Sequence, residues 1–101
     1  MILREWRGRA SLTMAEAYPA HFRQTVLREL GGVPGFLGAE LGKRRIGDTI
    51  EFLVLTRWRD IGAIHGFAGR EIDKAVVEPG AVAALTDFDA SVRHYEVIED
   101  G

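Results

Sequence analysis

Asp48-Thr-Ile-Glu-Phe-Leu-Val-Leu-Thr-Arg-Trp58 is the stretch of this chain that reads as a strand apolar on both faces. Side chains alternate along a strand, so Ile50, Phe52, Val54, Thr56 and Trp58 share one face. Leu53 and Leu55 sit on the other, between Glu51 and Arg57. Each face therefore needs a cover. A chain of 101 residues has enough helix to cover one face of a small sheet. A second copy is the cheapest cover for the other, so a homodimer is expected.

Working outward, Gly47-Asp48 is a turn that pairs this strand in a hairpin with a preceding strand from Phe36 to Ile46. Gly38 and Gly42 weaken that earlier strand, mark a candidate bulge and suit an edge position. Val33-Pro34-Gly35 is the turn before it. Upstream, Thr13-Met14-Ala15-Glu16 reads as a capping box. Tyr18, Phe22, Val26 and Leu30 then recur at four-residue spacing as one apolar helical stripe, ending at Gly31-Gly32, where a left-handed cap is easy. Pro19 is the misfit: the helix either kinks at Tyr18 or starts at Pro19, and irregular backbone beside Tyr18 and His21 would shape a pocket mouth. Ile2 to Arg9 is the first strand, with Ile2, Arg4, Trp6 and Gly8 on one face and Leu3, Glu5, Arg7 and Arg9 on the other.

Downstream, Asp60 is a candidate N-cap for a short helix carrying Ile61, Ile64 and Ala68. Helical pieces are expected at Arg70–Val77 and Ala81–Phe88, and a last strand at Ser91–Ile98. The order is strand, helix, strand, strand, helices, strand. That is the split βαβ of a ferredoxin-like α+β fold: a four-stranded antiparallel sheet, the first and third strands in the middle, helices on one face. Two such sheets meeting by their open faces make a dimeric α+β barrel.

Residues 1–101 are expected to form one domain. With 47% hydrophobic and 28% charged residues the composition is that of a folded globule and not a disordered chain. No apolar run approaches the length of a membrane span, and Met1 to Glu5 is too short and polar for a secretory signal, so the cytoplasm is the expected location. The absence of cysteine excludes disulfides, thiolate catalysis and Cys-ligated zinc. Charge is uneven, +3 over residues 1–50 and −5 over residues 51–101, yet neither half has the dense basic block of a nucleic-acid tail. Lys43-Arg44-Arg45 reads as an exposed hairpin tip.

No P-loop, dinucleotide fingerprint, GxSxG or HExxH is present. The histidines, His21, His65 and His94, are not spaced as a local metal pair. His94 is the candidate catalytic residue: it sits mid-strand on the face of Val92 and Glu96, where an imidazole must find a partner, and imidazole moves protons near neutral pH. The plainer reading is a core histidine held by a carbonyl or by Glu51 or Glu96. Tyr95 points the other way. Trp58 and Trp6 are flat and large enough to wall an aromatic ligand's site, or simply to pack. Arg4, on the Trp6 face, would anchor an anion or form an ion pair. Tyr18 and Phe22 face inward from the first helix and would close the same cavity.

Ile2-Leu3-Arg4-Glu5-Trp6-Arg7-Gly8, Pro34-Gly35-Phe36-Leu37-Gly38-Ala39, Leu55-Thr56-Arg57-Trp58-Arg59-Asp60, Phe67-Ala68-Gly69 and Val92-Arg93-His94-Tyr95-Glu96-Val97 together resemble the antibiotic biosynthesis monooxygenase family. The resemblance implies a dimeric α+β barrel with a cavity between helices and sheet. The activities known in that family include oxygenation of polycyclic phenols with no metal or flavin, and binding and degradation of haem. The resemblance places Trp58 as a wall of the pocket, and Phe67 joins the substrate-binding candidates. The haem-degrading branch needs a histidine where this chain has Ala75-Val76, and an asparagine on the first strand, whereas this sequence contains no asparagine. The expectation is a cofactor-independent monooxygenase for a small aromatic or phenolic compound. The alternative is a non-catalytic dimeric domain binding a small aromatic or apolar ligand, with neither nucleic acid nor membrane as a partner. An RNA-binding sheet would need exposed stacking aromatics, and the third strand offers Phe52 among aliphatics.

Overall fold

Strand β1 runs from Ile2 to Ser11 and pairs antiparallel along its whole length with β3, Thr49–Trp58, from Ile2 opposite Trp58 to Ser11 opposite Thr49. The computed structural model describes residues 1–101. β2, Phe36–Ile46, forms the expected hairpin with β3 and is an edge strand, with a register shift between Phe36 and Gly38; Gly42 keeps regular pairing opposite Leu53. On the far side of β1 lie two short strands, β4 at Asp87–Phe88 and β5 at Arg93–Glu96. The sheet is open, with β3 and β1 in the middle. It is the ferredoxin-like α+β arrangement.

Burial along β3 alternates strictly. Ile50, Phe52, Val54, Thr56 and Trp58 are buried, and Thr49, Glu51, Leu53, Leu55 and Arg57 are half-buried. Within one chain only the helix-side face is thus covered, and the face of Leu53 and Leu55 is left half-open. The helix-side core has two centres: Phe52, Tyr18, Phe22 and Ala81 at one end, and Trp58, Leu30, Ala63 and Ile64 at the other.

Helix α1 occupies residues 17–31, as α-helix at Ala17–His21, a π turn at Phe22–Val26, and α-helix again at Leu27–Gly31. The Thr13 capping box does not form. Leu12–Met14 is a 3-10 turn and Thr13 Oγ1 pairs with Ser11 Oγ at 3.0 Å. A helix begun at Thr13 would drive the Pro19 ring into the Ala15 carbonyl, whereas a start at Ala17 puts Pro19 in the first turn, where no backbone donor is needed. The C-terminus also departs from expectation. Gly32 keeps a right-handed φ of −88°, and the last carbonyls are closed by Gly32 N to Glu29 O and Val33 N to Leu30 O. The left-handed residue is Gly35, at φ 87°. There a Cβ would lie 2.5 Å from Ala63 Cβ, so the chain passes too close to the next helix for a side chain.

That next helix, α2 at Ile61–Ala68, begins as read: Asp60 Oδ1 accepts from Ala63 N at 2.8 Å. The helix expected at Arg70–Val77 is absent. Its backbone groups bond far along the chain instead, Ala75 N to Ala90 O and Val92 N to Asp73 O, and tertiary pairing overrides propensity. The piece expected at Ala81–Phe88 is α3, Pro79–Ala84, which stops before β4. The last strand is shorter than Ser91–Ile98: residues 90–92 bulge from the sheet edge between β4 and β5, and ladder pairing with β1 ends at Glu96, opposite Ile2. No helix is long and apolar enough to cross a membrane.

Candidate functional site

A cleft of about 60 Å³ lies between the sheet and the helices, at the seam of the two core centres. The sheet side contributes Arg4, Trp6, Val54, Thr56 and Val92. Tyr18, His21, Val26, Glu29 and Leu30 come from α1, Phe67 from α2, Val76 and Glu78 from the segment leading into α3, and Ala81 from α3 itself.

Arg4 is the buried charge of this site, 5% exposed. Its Nη1 donates to Ile72 O at 2.5 Å and to His94 Nε2 at 2.8 Å, and Nη2 donates to Lys74 O at 3.1 Å. The guanidinium also sits 5.7 Å from the centre of the Phe67 ring. Burial lowers its pKa to about 10, with Asp73 pulling the other way, and the side chain stays cationic at neutral pH. Those bonds use three of five N–H groups, leaving two without a protein acceptor.

His94 stands just behind Arg4 and does not line the cleft. A guanidinium can only donate, so Nε2 accepts, and in the neutral ring Nδ1 carries the proton and faces Asp73 Oδ1 at 3.2 Å. Burial first, and the Arg4 charge second, push the His94 pKa below its ordinary value; Asp73 opposes both. Its partners are therefore Arg4 and Asp73, not the Glu51 or Glu96 named from sequence.

Trp6 is half-buried, its Nε1 donating to Asp89 O at 2.7 Å and its ring 5.9 Å from that of Tyr18. Burial, with a smaller push from Glu78, raises the Tyr18 pKa and keeps its hydroxyl protonated. Phe67 lines the cleft and stacks on Trp58 behind it at 5.4 Å. Trp58 is fully buried and does not reach the cleft. It supports two residues that do: Phe67 by stacking, and Thr56, whose Oγ1 accepts from Trp58 Nε1 at 2.8 Å. Phe22 packs in the core beneath Tyr18 and also stays outside the lining. Of the side chains singled out from sequence, the cleft brings together Arg4, Trp6, Tyr18 and Phe67. Trp58, Phe22 and His94 form the layer behind them.

Sequence reading placed His21 at a pocket mouth without giving it a role, and did not assign Glu29 and Glu78 to the site. His21 had a usable signal, lying three residues after Tyr18 and so on the same helical face. Glu29 and Glu78 had none, because only the return of the chain from α2 to α3 makes them neighbours. His21 Nε2 is buried with no protein hydrogen-bond partner. Its ring is seated on the α3 backbone, where a Cβ on Gly80 would come within 2.7 Å of Nδ1 and Cε1. Burial, and then Glu29, raise the Glu78 pKa, while His21 pulls it down.

The cleft does not fit haem. The loop facing Arg4 offers Lys74, Ala75 and Val76, with no imidazole, the Nε2 of His94 is engaged by Arg4, and the unpartnered Nε2 of His21 belongs to a cleft of only about 60 Å³ that it shares with two carboxylates, Glu29 and Glu78. No three His, Cys, Asp or Glu side chains converge as a metal-ligand set.

The family profile of antibiotic biosynthesis monooxygenases matches residues 2–79. A Bacillus cereus protein classed as an antibiotic biosynthesis monooxygenase superposes over 99% of this chain and 95% of its own, with a TM-score of 0.67 at 12% identity. A monooxygenase of Streptomyces coelicolor, solved with the ligand nanaomycin D, covers 99% of this chain and 88% of its own, with a TM-score of 0.60 at 14% identity. The haem-degrading protein of Mycobacterium tuberculosis covers 100% and 99%, with a TM-score of 0.51 at 22% identity. These likenesses are of fold. No curated protein matches the sequence significantly. The profile spans well over half of the residues, and the chain belongs to the antibiotic biosynthesis monooxygenase family.

Proposed function

We propose that this chain is a cofactor-independent monooxygenase for a small aromatic or phenolic compound, working as a homodimer. One observation carries the reading: an aromatic-walled cleft, Trp6, Tyr18 and Phe67, whose floor holds a buried guanidinium with N–H groups to spare. A ring fits between such walls, and Arg4 is placed to hold its anionic oxygen. In this chemistry the substrate anion itself reduces oxygen, so the protein's task is to deprotonate, orient and enclose it. His94 enters as a positioning residue: it fixes the Arg4 guanidinium, and Asp73 fixes its tautomer.

At about 60 Å³ the cleft holds a few waters as it stands, far below the several hundred Å³ of an ordinary ligand site. Ligand entry therefore requires its rim to open. Glu29 and Val76 are exposed and are the side chains free to swing. A one-ring substrate suits this cleft better than a polycycle. The second copy is placed on the uncovered sheet face, where Leu3, Leu53 and Leu55 lie half-buried among charged neighbours. Charged side chains there already pair within one chain, Arg7 with Glu5 at 2.6 Å and Arg9 with Glu51 at 3.9 Å, which leaves the leucines as the adhesive strip.

The test is oxygen uptake and product mass over a panel of monohydric, dihydric and quinonoid phenols, with no metal or flavin added, beside sedimentation of the parent and of Leu53→Glu. Turnover by a dimer that the substitution splits supports the reading. Binding without product leaves the ligand-binding alternative, and neither binding nor turnover refutes both.

A further inference from the structure

We propose that His21, through Nε2, is the group that takes the proton from an acidic hydroxyl bound in the cleft, with Glu78 beside it to steady the imidazolium that forms. The inference rests on the reading of the cleft as a site for a phenol, and names a residue that this reading does not supply.

Most buried side-chain polar atoms are bonded to protein or to ordered water, and one with no protein partner in a cleft wall is open to a ligand or a water. His21 Nε2 has no protein partner, and His21 is part of the cleft wall. Its ring is held in place by contact rather than by hydrogen bonds at this nitrogen: Gly80 presents bare backbone against Nδ1 and Cε1, and the Tyr18 ring centre lies 6.0 Å away. A side chain at position 80 would occupy the space of the ring.

The titratable and charged groups that line the cleft with His21 are Tyr18 and Glu29 on its own helix, Glu78 ahead of α3, and Arg4 on the sheet. Tyr18 stays neutral. Glu78 stands close enough for His21 to pull its pKa down, so an opposite charge lies beside the ring. Arg4 comes from the sheet side and His21 from the helix side, so a ring between them meets a cation on one side and a proton acceptor on the other. The step is a single transfer: the substrate O–H bond breaks, its electron pair stays on oxygen as the phenolate, and an N–H bond forms at Nε2. Nothing is oxidised or reduced. His94 is less suited to the task, since its Nε2 already accepts from Arg4.

The experiment uses 4-nitrophenol, whose phenolate absorbs in the visible, with the intact protein and with His21→Gln. Bound to the parent, the probe should ionise at a pH lower by about one unit or more than in water, as beside a favourable charge. In His21→Gln the probe should still bind, keeping the part of that downward shift that Arg4 supplies and losing the rest. Histidine ring NMR of the parent supplies a second readout that needs no variant: one imidazole signal, assigned by its loss in His21→Gln or His21→Asn, should move to the imidazolium position as the probe binds. Equal ionisation shifts in parent and variant, or a His21 signal that stays neutral, overturn the assignment while leaving the cleft reading intact. No binding of the probe by the parent overturns both.

Discussion

Replacing Arg4 by methionine tests the claim that one buried cation ties the sheet to the segment between α2 and α3. The substitution keeps a long flexible chain against Phe67 and removes every donor. Bonds to Ile72 O, Lys74 O and His94 Nε2 disappear, each of a kind that contributes about 1.5–3 kcal/mol when one partner is charged. Their simple sum overstates the effect. Burying the guanidinium is itself unfavourable, as its lowered pKa indicates, and methionine relieves that term. Lys74 is exposed, and its carbonyl regains water; Ile72 and His94 are half-buried and regain less. A net loss of about 2–4 kcal/mol follows, which for a domain near 100 residues lowers the melting temperature by roughly 10–30 °C. The loss has an address. Ala75 N bonds Ala90 O and Val92 N bonds Asp73 O, so residues 72–76 and 90–94 should loosen together. Hydrogen exchange should quicken most at Ala75 and Val92, beyond any change at the β1 and β3 pairs around Trp6 and Val54. A melt within about 3 °C of the parent, the range of an ordinary surface substitution, would refute the reasoning. So would exchange that rises evenly over the chain.

Other outcomes follow from single residues. His94 is held below its ordinary 6.5 by burial and by Arg4, so the unfolded chain binds the proton more readily. The stability tied to the neutral ring is therefore complete above that ordinary value and drains away as pH falls toward the folded-state value. Melting curves between about pH 7.5 and pH 5 should decline in the parent and decline less in His94→Gln, and parallel declines would count against it. Gly35→Ala meets both a left-handed φ of 87° and Ala63 Cβ at 2.5 Å, so a loss of about 2–5 kcal/mol should appear as a lower urea midpoint. Gly47→Ala, also left-handed at φ 59° but with open space around it, should lose only about 1–2 kcal/mol; equal losses at the two sites would mean that the turn does not press on α2.

What the sequence could express was set by how local each determinant is. The β2–β3 hairpin was readable because period-two alternation and the Gly47 turn are adjacent in the chain. Asp60 was readable as a cap because the donor it accepts from is three residues on. Arg70–Val77 was misread because helical propensity competes there with bonds to residues 90–92 and with Arg4, all remote in sequence. The site divides the same way. Trp6, Tyr18 and Arg4 sit on faces that strand and helix periods reveal, whereas Glu29 and Glu78 meet through the chain's return.

One determinant in α1 was local and still unread. At 3.6 residues per turn, apolar positions repeating strictly every four residues drift round an α-helix by about 40° at each repeat. Tyr18, Phe22, Val26 and Leu30 keep that spacing over three repeats and nonetheless all stay on the covered side, the first, third and last of them in the cleft wall. The π turn at Phe22–Val26 is what reconciles the two, because its wider turn absorbs an extra residue and cancels part of the drift. The same turn lets His21 and Glu29, on either side of it, line one cleft. The four-residue spacing was thus a signature of the irregular helix that builds the site, and reading it as an ordinary stripe yielded the core contact of Phe22 but not the role of its neighbour His21.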